Sequence, residues 1–158
     1  MPRFFRQGWV MDEIDKFILE KLMNNAKIKL KELCEITGLT KVPMSYRVNK
    51  LTDDFIIGTY SRVDKKKLGY NVESIFIISL QNQSKELYDE FICYISNKKE
   101  IRCADLVTGT YDFVLRVVAK NAIHMNEINL FLRECPYIFK CQMFDILSTP
   151  LYREGVPL

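Results

Sequence analysis

The sequence predicts an α+β protein in two parts: a winged helix-turn-helix unit over residues 11–62 and a βαββαβ, ferredoxin-like unit over residues 72–158, joined by a hinge at 63–71. Three observations lead there. The stretch GLTKVPMSYRVNKL, Gly38 to Leu51, has apolar residues at helical spacing on one face and cations on the others. From Val72 the pattern changes to that of a strand, in VESIFIISL. The stretches that follow alternate as helix, strand, strand, helix, strand, which completes a four-stranded antiparallel sheet with two helices on one face.

Composition bounds what such a chain can be. Its 158 residues allow one large domain or two small ones, and 48% apolar with 27% charged residues suits a buried core inside a soluble surface. The net charge is only +3, so a nucleic-acid partner must be met by a local patch. Cys34, Cys93, Cys103, Cys135 and Cys141 are odd in number and lack C-x-x-C spacing, which reads as reduced thiols in a cytoplasmic protein. A single histidine, His124, supplies too few nitrogen ligands for a metal centre, and no cofactor is expected. No run of about eighteen apolar residues is present, so no membrane span is predicted. Residues 1–10, MPRFFRQGWV, have no continuous apolar core of signal-peptide length and read as an extension, either a basic arm or an upstream start before Met11.

The first helix is expected to be capped by Asp12 or a neighbour and to run to about Asn25, with Ile14, Phe17, Ile18, Leu22 and Met23 at helical spacing. Leu30, Leu33, Cys34 and Ile36 mark a short second helix, closed by Gly38 in a left-handed conformation. In the third, the Thr40 hydroxyl is expected to cap the start, Pro43 falls in the first turn, and Met44, Val48 and Leu51 form the buried face. The other faces carry Lys41, Val42, Ser45, Tyr46, Arg47, Asn49 and Lys50, with no acid among them. Taken alone, such a helix is equally well a plain solvated basic face. The short helix and glycine before it favour a DNA-binding turn. Beyond Leu51 the chain is expected to turn through Thr52, Asp53 and Asp54 into FIIGTYSRV, a two-stranded wing from which Arg62 points a charge. The polar, lysine-rich DKKKLGYN reads as the linker.

In VESIFIISL, Phe76 and Ile78 alternate with Ile75 and Ile77, so both faces of this strand are apolar. Ser84 is placed to cap a helix carrying Leu87, Phe91, Ile92 and Ile95. IRCADLVTG and TYDFVLRVVA read as a hairpin joined at Gly109 and Thr110. Asn121 opens a second helix, with Ile128, Phe131, Leu132 and Cys135 on one stripe, and Pro136 ends it; a last β-rich run reaches about Leu147. A sheet with helices on one face and apolar residues on the other needs that second face covered. A homodimer is therefore expected, which also spaces two recognition helices one turn of double-stranded DNA apart.

From Met11 onward the chain resembles the Lrp/AsnC family of prokaryotic transcription regulators, also called feast/famine regulatory proteins. MDEIDKFILEKLMNNAK is similar to the family's opening helix, LKELCEITGLT with Pro43, Arg47, Val48 and Leu51 to its helix-turn-helix, and RVDKKKLGY to its hinge. VTGTYDFVLRV is similar to its central hairpin, in which Gly109 and Asp112 match a glycine and an aspartate near the effector pocket between dimers. The resemblance implies a RAM/ACT-like second domain, dimers that assemble into tetramers or octamers, pseudopalindromic operator DNA, and in many members an amino-acid effector. It departs at Pro136, Tyr137, Ile138, Phe139, Lys140, Cys141 and Gln142, where the family has a Gly-Val turn followed by pocket-lining threonines. Bulky and cationic groups there change the effector or remove its site.

Three functions are weighed on these residues. In the first, a sequence-specific regulator, Lys41, Arg47 and Lys50, with Lys27, Lys29 and Arg62, hold phosphates, while Val42, Ser45, Tyr46 and Asn49 meet base edges. Against this, Arg47 lies near the buried face and can bond within the fold, and Tyr46 can touch sugar alone. In the second, an effector-sensing module, Gly109, Thr110, Tyr111, Asp112 and Cys141 form the site, the Asp112 carboxylate taking an ammonium group. Its alternative is a plain turn in which Asp112 bonds its own backbone. The third is an enzyme, because siroheme decarboxylases share the two-part architecture. Those enzymes use histidines in the sheet domain, and here His124 stands alone with no nucleophile set or glycine-rich phosphate loop, so catalysis is not expected.

Overall fold

The computed structural model describes residues 10–153 and 155–158. The chain divides into two compact units, one running to Arg62 and including Leu151–Leu158, the other Val63–Pro150. No described helix is long and apolar enough to cross a membrane.

The helical unit begins with α1, Glu13–Asn24, behind a reciprocal capping box. The Asp15 N–H donates to the Asp12 carboxylate at 2.8 Å, and the Asp12 N–H donates back to Asp15 Oδ2 at 3.2 Å. Helix α2, Leu30–Thr37, ends at Gly38 with φ 72°, where only glycine turns without Cβ strain. Helix α3 is Lys41–Phe55. Ile18, Leu33, Met44 and Leu51 are fully buried together, with Ile14, Phe17, Leu22, Leu30 and Val48 packed around them. Each large side chain so buried contributes about 1.5–3 kcal/mol, which is why three short helices hold together.

Three expectations about this unit are corrected. Thr40 occupies the N-cap position of α3, but its hydroxyl makes no capping bond. Thr52, Asp53 and Asp54 do not turn the chain; they stay helical to Phe55, and the Ile56 N–H still donates to Thr52 O at 3.3 Å. No wing forms. Residues 56–64 contain no strand, because a strand needs a neighbour for its N–H and C=O groups and no described segment provides one.

The sheet unit follows the expected order: β1 Val72–Leu80, α4 Lys85–Ser96, β2 Ile101–Leu106, β3 Phe113–Ala119, α5 Ala122–Arg133 and β4 Ile138–Asp145. The strands lie in the order β2-β3-β1-β4, every pair antiparallel. Ser84 and Asn121 cap the two helices as expected, accepting from the Leu87 and His124 N–H groups. On one sheet face Phe76, Ile78, Leu115 and Val117 meet Phe91, Ile95, Met125, Ile128 and Leu132. On the other, register puts Ile77 between Val114 and Gln142, and Ile75 between Arg116 and Phe144. That face is apolar along its middle and only partly covered by its own chain.

Candidate DNA-binding surface and effector hairpin

Because Met44 and Leu51 point α3 into the helical core, the helix turns a defined stripe outward. Val42 is 80% exposed and Tyr46 67%, and Asn49 continues the stripe three residues on, also exposed. Lys41 flanks it exposed, with Ser45 and Lys50 half-buried beside it. Asp12, Pro43, Tyr46, Arg47 and Lys50 line a shallow cleft of about 330 Å³. Lys27 and Lys29 are exposed around the α1–α2 turn.

Arg47 does not join that stripe as a loose cation. Its Nη1 donates to Asp12 Oδ2 at 2.8 Å and to Asp15 Oδ1 at 2.5 Å. Asp15 is 1% exposed, so its charge needs this partner. The two carboxylates hold the Arg47 proton more firmly than usual, Asp15 most strongly. Asp12 is held below the usual carboxylate range, first by the Asp15 N–H and then by Arg47. The intramolecular bonding weighed for Arg47 is thus present, made through Nη1 to both carboxylates. Arg62 is also committed: its guanidinium lies 4.1 Å from the ring centroid of Tyr152, in the closing segment, and not on a wing.

In the sheet unit, residues 107–112 join β2 to β3, with Gly109 at φ 121° and exposed, and Thr110 exposed beside it. Asp112 is 5% exposed. Its carboxylate accepts from the Leu80 N–H at 2.7 Å and from Gln83 Nε2 at 3.0 Å, while its own N–H donates to Ile78 O at 2.8 Å. It therefore bonds β1 and the β1–α4 connection, neither its own backbone nor open solvent. The Tyr111 hydroxyl donates to Gln142 Oε1 at 2.7 Å, and the Lys140 ammonium lies 5.5 Å from the Tyr111 ring centroid. Cys141 is half-buried opposite Ile78, and burial raises its thiol pKa. Sequence reasoning missed Leu80 and Gln83 as the partners of Asp112; the signal was a buried carboxylate, which needs donors from somewhere. Among the described residues no group of three metal-ligating side chains comes together.

Known proteins share both units. A family model described as the Lrp/AsnC ligand binding domain matches residues 73–156, and one described as winged helix-turn-helix DNA-binding matches residues 11–54. The HTH-type transcriptional regulator FL11 of Pyrococcus horikoshii is 31% identical over 149 residues, covering 94% of this chain and 97% of that protein. The solved structure of Escherichia coli AsnC is similar with a TM-score of 0.82 at 26% identity, covering 94% of this chain and 100% of that one. Transcriptional regulator NMB0573 of Neisseria meningitidis, solved as a complex with L-Met, reaches a TM-score of 0.85 at 19% identity, over 94% of this chain and 97% of that one, a likeness of fold. A matched helix-turn-helix followed by a matched ligand-binding domain over the length of the chain means that this protein belongs to the Lrp/AsnC family of DNA-binding transcription regulators.

Proposed function

We propose that this regulator reads duplex DNA with the outward stripe of α3: Val42, Tyr46 and Asn49 at base edges, Ser45 beside them, and Lys41 and Lys50 on phosphates. Lys27 and Lys29 add backbone contacts from the α1–α2 turn. One observation carries the assignment: from Lys41 to Leu51 the helix buries an apolar face and presents no acid on any other. Two protomers pair through the half-covered sheet face around Ile75, Ile77, Val114 and Phe144, so that operators are pseudopalindromic and read in the cytoplasm. Selection of bound sequences from random DNA tests this. The expected result is a two-fold symmetric site with half-sites about ten base pairs apart. Recovery of single, unpaired half-sites would overturn the dimeric part of the reading.

The second unit is assigned a small effector of the amino-acid class. The match to a ligand-binding domain supports this, as does the L-Met bound to the Neisseria regulator of the same fold. The geometry of this chain favours the exposed Gly109 and Thr110 turn, with Tyr111 next to it, over the Asp112 carboxylate, whose oxygens are already bonded. Calorimetric titration with individual amino acids measures it; the absence of heat from all of them removes the assignment.

A further inference from the structure

The hinge is a built turn. Asp64 Oδ1 accepts from the Lys66 and Lys67 N–H groups at 3.0 and 3.3 Å, Asp64 O accepts from Leu68 N, and Gly69 closes the turn at φ 85°. It is also anchored. Lys65 Nζ pairs with Glu73 Oε2 at 2.5 Å, and Asn71 Nδ2 donates to Lys120 O at 3.4 Å. Lys120 is held in turn by its own N–H, which donates to His124 Nδ1 at 3.3 Å. The result gathers Lys65, Lys66, Lys67, Arg116 and Lys120 around the junction of β1 and β3 with the hinge.

The nearby acids are already engaged. Asp64 accepts backbone N–H groups, Glu73 faces Lys65 and Arg116, and Glu100 faces His124. Among the described residues, the ammonium groups of Lys66, Lys67 and Lys120 have no partner, and all three residues are exposed. An anchored backbone that presents three unpaired ammonium groups is suited to a polyanion, because its orientation is set before binding and only water and counterions are displaced.

We propose that Lys66, Lys67 and Lys120 form a second DNA-backbone contact, made by the sheet unit with phosphates outside the base pairs read by α3. The inference rests on the DNA-reading role proposed above. Two observations favour duplex DNA as the polyanion. The turn begins only eight residues after α3 ends, with Ile56–Val63 between them. The three groups are also lysines, which serve as point charges for phosphates without reading sequence.

The test uses the full chain and the site recovered by selection, on one duplex trimmed to about 20 base pairs, two helical turns, and one extended to about 60. The wild type must bind the short duplex; failure there overturns the α3 reading, and this contact falls with it, whereas a failure confined to the long duplex concerns the lysines alone. Given that binding, K66Q/K67Q/K120Q is expected to keep its short-duplex affinity. It should lose about tenfold or more on the long duplex, with the salt-dependence slope there reduced by about 5.4, or 0.9 for each of the six contacts that two protomers make. K66R/K67R/K120R, which retains the charges, should restore both. Equal affinity and slope for wild type and the Gln variant on the long duplex would overturn the proposal. So would a loss confined to anionic phospholipid vesicles or to polyglutamate, which would assign the patch to a membrane or an acidic protein.

Discussion

Arg47 and Asp15 meet 2.5 Å apart although 32 residues separate them in the chain. The pair joins α3 to the first turn of α1, and the same guanidinium reaches Asp12, the cap of that turn. One side chain of the DNA-reading helix is thus spent on fixing the angle at which the others are presented. R47A leaves Asp15 buried without a counter-charge and is expected to destabilise the protein by about 3–5 kcal/mol. Urea unfolding measures it, and R47K should recover most of the loss. A change below about 1 kcal/mol in R47A would contradict the pairing.

Acid should loosen the same corner. The folded pKa of Asp12 lies below its ordinary value of 3.8, through the Asp15 N–H first and Arg47 second. A depressed carboxylate contributes stability that is fully present above the unfolded value and is lost as pH falls through the folded one. Asn still caps a helix but does not titrate, so D12N should show a shallower loss of urea midpoint than the wild type below about pH 4. Identical acid profiles would remove Asp12 from the account.

On DNA, K50A should weaken every sequence alike and lower the salt-dependence slope by about 1.8, or 0.9 for each half-site. N49A should act differently, losing discrimination at one base pair of each half-site by about 1–3 kcal/mol while leaving the slope unchanged. Binding isotherms at several salt concentrations separate the two. An N49A variant with unaltered base preference would place that side chain on the backbone instead.

D112A strips the Leu80 N–H and Gln83 of their acceptor inside the sheet unit and should cost about 1–3 kcal/mol in unfolding experiments. An effect on amino-acid binding without any loss of stability would show the carboxylate to be a ligand contact after all.

At Gly38, a Cβ would meet nothing within 4 Å, so any penalty in G38A comes from the backbone alone. With φ at 72°, the expected cost is about 1–2 kcal/mol. An unchanged thermal midpoint would mean that the α2–α3 turn relaxes to another conformation.

Much of this architecture was legible because it depends on local rules. Gly38 stands where a left-handed residue is needed, and Asp12, Ser84 and Asn121 cap helices as short polar side chains do. The alternation in VESIFIISL likewise marked the central strand. What failed depended on partners distant in sequence. FIIGTYSRV has the composition of a strand, but composition supplies no neighbour to pair with. Thr52–Asp53–Asp54 resembled a turn, yet without glycine or proline nothing stops the ladder of α3 before Phe55. The exposed stripe of α3 could be read from periodicity. That Arg47 belongs to Asp15 and Asp112 to Leu80 could not, since both pairings exist only after the chain has folded back on itself.

The central position of β1 has a consequence for synthesis. Both of its neighbours, β3 and β4, are made after it. The helical core is complete once Leu51 has emerged, whereas β1 keeps a bare edge until β3 and then β4 have followed it. On the ribosome the helix-turn-helix core can fold well before the sheet, and a chain halted after β3 would expose one side of β1 to any extended segment nearby.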